Sequence, residues 1–137
     1  MIMFRKELIW LLIVGSLLTP LASLRILNNN PLQVTHLQLR SYVTSPVVKA
    51  NSAQGVTVIV LDQNYSPVAR AQVTVNLLMP DATEESYTLP VTNNYGISQI
   101  DGIWVQNLPA SQMIVVEVSA TYAGLQSSTS TWFQIWW

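Results

Sequence analysis

The sequence predicts an all-β body, an antiparallel sandwich of about seven strands, preceded by one N-terminal hydrophobic helix. Three observations carry that prediction. Residues 8–24 (LIWLLIVGSLLTPLASL) hold no charge and follow the basic pair Arg5 and Lys6. From residue 34 onward, apolar residues recur with period two rather than 3.6, in runs of strand length. Turn signals rich in Asn, Asp, Pro and Gly separate those runs, and no helix-length stretch intervenes. Without crossover helices there is no βαβ unit and no parallel sheet, so Greek-key connections between antiparallel strands are expected.

The N-terminal segment comes first. Its apolar run spans about 25 Å as a helix, short of a hydrocarbon core of about 30 Å. Extension to residue 27 closes the gap and takes in Arg25, whose side chain can snorkel to the outer interface. Arg5 and Lys6 stay cytoplasmic by the positive-inside rule, so the body is exported. A cleaved signal peptide wants small residues at −3 and −1, and Leu21-Ala22-Ser23 offers only the second. The run also exceeds the usual 7–15 residues of a signal, which favours a retained signal-anchor over 1–27. A pilin-like leader, with the helix in a fibre core, fits the layout. Its bacterial pattern is missing: Glu7 directly follows Lys6, and Gly15 lies inside the apolar run. Asn28-Asn29-Asn30-Pro31 breaks the helix within a linker over 28–33, and the sandwich occupies 34–137.

The strands then follow in order. Residues 34–43 read as the first strand, ended by Thr44-Ser45-Pro46. The run 55–62 (GVTVIVLD) is apolar on both faces, as a central strand should be, and 62–67 turns. Strand 71–78 alternates, with Val73, Val75 and Leu77 inward. Residues 85–92 form a short polar strand, which Pro90 assigns to a sheet edge. Strand 97–105 bends at Asp101-Gly102, and 112–122 places Ile114, Val116, Val118 and Ala120 on one face. The closing strand, 127–137, turns Phe133 and Ile135 inward.

Composition excludes several function classes. Only 9% of residues are charged and the net charge is −1, with no cluster of Lys or Arg to displace counterions from nucleic acid. Cysteine is absent, which removes disulfides, thiolate metal sites, thiol nucleophiles and a lipoprotein anchor.

Residues 56–121 resemble bacterial immunoglobulin-like domains of the invasin/intimin type and the related carboxypeptidase-regulatory-like modules. The resemblance rests on Val60-Leu61-Asp62, on Ser66-Pro67-Val68-Ala69-Arg70-Ala71-Gln72-Val73 with Ser66 where Gly is usual, and on Thr92-Asn93-Asn94-Tyr95-Gly96. Val115-Val116-Glu117-Val118-Ser119-Ala120 matches the alternating penultimate strand. It implies an immunoglobulin-like fold and a role as spacer, adhesion module or subunit-contact domain at a cell surface.

No residue pattern names a reaction. His36 is the one histidine in the sequence and has no acidic residue near it in sequence, so it reads as a surface or edge residue. Asp62, Asp81, Glu84 and Asp101 fall in or beside turns, where carboxylates cap backbone N–H groups; Glu85 and Glu117 lie on strands. No spacing among them suits calcium or paired-carboxylate hydrolysis. No cofactor or metal is expected. Trp132 and Trp136 stand on the strand face opposite Phe133 and Ile135, as a contact surface for a protein partner, a glycan or the membrane interface. The resulting expectation is a non-catalytic, membrane-tethered extracytoplasmic module that contacts lipid through its helix and protein through its sandwich. Its alternatives are a filament subunit and a carbohydrate-binding module.

Overall fold

Alternation decides which side chains meet. Along the run 72–78, Val73, Val75 and Leu77 are fully buried while Gln72, Thr74 and Asn76 face outward. The same rule orients every strand in the computed structural model, which describes residues 33–106 and 110–136. The predicted helix, with Arg5, Lys6 and Arg25, lies outside the described residues.

Eight strands follow one another: β1 (Gln38–Val43), β2 (Val47–Lys49), β3 (Ser52–Leu61), β4 (Gln72–Leu78), β5 (Glu84–Thr88), β6 (Ile97–Val105), β7 (Met113–Tyr122) and β8 (Leu125–Trp136). They form a three-stranded sheet, β1-β3-β6, and a five-stranded sheet, β2-β8-β7-β4-β5. Their inner faces share one core. Val56, Val58, Val60 and Ile103 from the first sheet meet Val73, Val75, Leu77, Ile114, Val116, Val118, Phe133 and Ile135 from the second.

The structure corrects the seven-strand expectation at one place. Residues 47–49 form β2, which pairs with β8 in parallel, whereas every other pairing is antiparallel. Thr44-Ser45-Pro46 does not end the sheet structure; it carries the chain from the first sheet to the second. The crossing is held by Thr44 N–H donating to the Gly55 carbonyl at 2.9 Å and Gln134 N–H donating to the Pro46 carbonyl at 2.9 Å. The first strand also starts later than expected, at Gln38, because residues 34–37 pair with no neighbouring strand.

Other local expectations have visible causes. β3 is central in its sheet and β5 lies at an edge. At Asp101-Gly102 the β3–β6 register slips opposite Gly55, and Gly102 adopts φ 81°. That is the predicted bend, a bulge that re-aims the end of β6. The β7–β8 hairpin turns through Ala123 (φ 48°) and Gly124 (φ 79°), the two positive values a type I′ turn needs.

The sandwich has two poles. One carries the turn 62–66, the segment 68–71, the loop 92–96 and the Ala123-Gly124 hairpin. The other carries the crossing 44–46, the turn 79–83 and the ends of β6 and β8. At the first pole Thr35 N–H donates to Gln63 Oε1 at 3.0 Å.

Candidate interaction surface

The register of the five-stranded sheet sorts its outward side chains into rows. Leu78, Val115 and Trp132 stand side by side across β4, β7 and β8. One row nearer the second pole are Met113, Gln134 and Val47. The last row pairs Trp136 with Lys49. Apart from Gln134, Lys49 and Glu84, which stands beside Leu78 on the edge strand β5, these rows are apolar. Met113 is 55% exposed, Trp132 and Trp136 53% each, and Val47 48%.

Beyond Trp132 the same face changes character. The next row holds Ser130, Glu117, Asn76 and Ser86, followed by Ser128, Ser119, Thr74 and Thr88. Half of the face is therefore an apolar platform, and the other half is a hydroxyl-rich surface that water solvates well. Phe133 and Ile135 fix this polarity from beneath: both are fully buried, so the intervening Trp132, Gln134 and Trp136 must face out. Trp132 and Trp136 lie about 14 Å apart along one strand. A solvent-facing cluster of large apolar side chains with a polar rim marks a contact site.

The sequence singled out the two tryptophans but not their neighbours. Met113 and Val115 were legible as the apolar residues on the outer face of a strand whose other outward residues are Glu117, Ser119 and Thr121. Val47 was not, because β2 has only three residues and owes its place to pairing. Trp104 was also missed. It is 56% exposed beside Ala53 on the outer face of the other sheet, so it does not join the platform.

The candidate chemical residues are dispersed. His36 is exposed ahead of β1. Asp62 is buried as a turn cap, its Oδ1 accepting from Asn64 N–H at 2.8 Å and Ser66 N–H at 2.9 Å. Asp81 caps the turn between β4 and β5. The Thr83 hydroxyl at 2.6 Å and the Thr83 N–H at 2.9 Å hold its carboxyl below the usual carboxylate range. Glu84, Glu85, Asp101 and Glu117 are exposed on three different strands. Among the described residues no group of three or more His, Cys, Asp or Glu is placed to hold a metal ion. Among the described residues, two buried side-chain atoms lack a hydrogen-bond partner, Ser41 Oγ and Asn76 Oδ1. The second belongs to the row of Glu117 on the outer face.

No protein-family model and no curated protein matches this chain. Solved structures with a similar course include the β-glucuronidase of Parabacteroides merdae, at TM-score 0.47 and 16% identity over 75% of this chain. This chain spans 14% of that enzyme's length. Another is the 27–141 fragment of a conjugate transposon protein from Bacteroides vulgatus, at TM-score 0.42 and 8% identity, covering 78% of this chain and 90% of that one.

Proposed function

We propose that this chain is a non-catalytic, membrane-tethered, extracytoplasmic immunoglobulin-like module that acts by contact, as a structural or accessory subunit of an envelope complex. One observation carries the reading: the apolar rows around Trp132, Met113 and Trp136 on the outer face of the five-stranded sheet. Burying them against a partner removes from water side chains the core has no room for. Support for the immunoglobulin-like reading comes from the resembling segments themselves. Asp62 caps its turn, Pro67 bridges to Leu61, and Gly96 takes φ 71°. The tether rests on the uncharged run 8–24 behind Arg5 and Lys6.

A glycan is the second reading, favoured by the exposure of both tryptophans on one face. It ranks lower because Val47, Met113, Val115 and Leu78 surround them, and a sugar needs hydrogen-bonding groups beside its stacking platform.

A photo-crosslinking residue placed at 132 in the full chain, in cells, tests the contact reading. The expected result is protein adducts from 132 and none from 128, at the polar end of the same face. Equal labelling from both positions overturns it, and adducts to polysaccharide alone select the glycan. N-terminal mass spectrometry of the membrane fraction tests the tether. Retention of residues 1–27 is expected; processing near Lys6-Glu7 would point to a filament subunit instead.

A further inference from the structure

We infer that the apolar platform is self-complementary and that its partner is a second copy of this chain, packed face to face about a two-fold axis. The inference rests on the contact reading above and names the occupant of that surface. Its starting point is charge. The outward face of the five-stranded sheet carries three charged residues, Lys49, Glu117 and Glu84. Glu84 sits on the far edge strand, β5. Lys49 and Glu117 bracket the platform from opposite ends, and neither has an ion-pair partner among the described residues.

Their separation sets a symmetry. Lys49 lies on β2 and Glu117 on β7, two strands and three rows apart. With strands about 4.8 Å apart and rows about 6.8 Å apart, that is about 22 Å across the face. The midpoint falls over β8 between Gln134 and Trp132, inside the apolar rows. A two-fold axis lying in the interface through that point, perpendicular to the Lys49–Glu117 line, brings Lys49 of each copy onto Glu117 of the other. An isologous interface then contains that ion pair twice.

The same axis arranges the apolar residues without further adjustment. On a flat lattice of these spacings, Trp132 falls over Val47 and Gln134 of the second copy, and Trp136 falls between its apolar pair Leu78 and Val115 and the adjoining Asn76 and Glu117. Met113 lies nearly on the axis and meets its own counterpart. Trp132 and Met113 land on apolar neighbours or on the amide of Gln134, Trp136 covers the boundary between the apolar and polar rows, and no like charges are opposed. The footprint, roughly 20 Å by 20 Å per copy, falls below the range of stable interfaces and in that of weak ones. The association is therefore weak in dilute solution and favoured where tethering confines the chains to one surface.

The absence of cysteine makes the test clean. The full chain in detergent micelles receives a single cysteine, as Met113→Cys or, for control, Ser128→Cys, and is treated with a short bis-maleimide. Facing sheets lie about 10 Å apart, beyond a disulfide but within reach of that reagent. Met113→Cys is expected to yield covalent dimer at least fivefold more than Ser128→Cys. Adding Lys49→Glu or Glu117→Lys alone should cut that yield severalfold, and adding both should restore it. Equal yields from positions 113 and 128, or failure of the double reversal to restore cross-linking, overturns the inference. If position 132 still photo-labels another protein in that case, the contact reading survives and only the second copy falls.

Discussion

Gln54 grips the backbone of Ser45 at both its polar groups: its Oε1 accepts from Ser45 N–H at 3.1 Å, and its Nε2 donates to the Ser45 carbonyl at 2.6 Å. Gln54 is buried, so these bonds are made away from competing water. They fix the crossing 44–46 and therefore the position of β2, which contributes Val47 and Lys49 to the platform. A glutamine in the core of a β-sandwich thus shapes a surface it does not touch.

Gln54→Met keeps the volume and removes both bonds as well as the one that Oε1 accepts from Gly55 N–H at 3.0 Å, leaving the Ser45 and Gly55 backbone groups without these partners. The expected loss is about 2 kcal/mol, most of it the cost of the orphaned groups. Hydrogen exchange should localise the effect. The Gln134 amide, which donates to Pro46, should exchange faster, while the amides of β4 keep their protection relative to global stability. Uniform loss across both sheets would show that Gln54 acts on the core rather than on the crossing.

At the other pole Thr92 plays a comparable part. Its buried hydroxyl donates to the Val68 carbonyl at 2.6 Å and accepts from Ala71 N–H at 2.8 Å. Thr92→Val preserves shape and deletes both bonds, so a loss of about 1–3 kcal/mol is expected in denaturant unfolding. Thr92→Ser keeps the hydroxyl and should recover most of it.

Much of this was legible in the sequence, for physical reasons. Period-two alternation in 72–78 and 113–120 reports directly which side chains are buried, because a strand has only two faces. Asn, Asp, Gly and Pro mark turns because they satisfy or preset the backbone locally, as at Asp62 and Gly96. β2 was not legible. Three residues carry no periodicity, and what makes Val47–Lys49 a strand is the exposed edge of β8, nearly ninety residues away in sequence. The platform was half legible for the same reason: Trp132 and Trp136 announce themselves by size, whereas Val47 joins them only through that pairing.

The hairpin at Ala123-Gly124 offers a route to stabilisation. A type I′ turn requires φ > 0 at both central positions, and alanine pays for its Cβ there. Nothing lies within 4 Å of the neighbouring Gly124 Cβ position, so the loop stands clear of the body. Ala123→Asn should raise stability by about 1 kcal/mol, read as a higher urea midpoint with an unchanged slope. No change in midpoint would show that alanine carries no appreciable strain at this position of the folded turn.

Tyr87 and Glu85 give the last prediction. Both project from the edge strand β5, and the Tyr87 hydroxyl donates to Glu85 Oε2 at 2.8 Å. Partial burial of the ring, the hydrogen bond and the negative charge of Glu85 together push the phenol up to about 12 from 10.0. Ultraviolet difference titration of the chain against its Tyr87→Phe variant should isolate a transition near that value, and Glu85→Gln should lower it. The stability consequence has a definite sign. Between about 10 and about 12 the folded state binds more protons at Tyr87 than the unfolded state, so stability falls as pH rises through that window. Tyr87→Phe should remove this component and flatten the alkaline decline, and an identical decline in the variant would place its origin elsewhere.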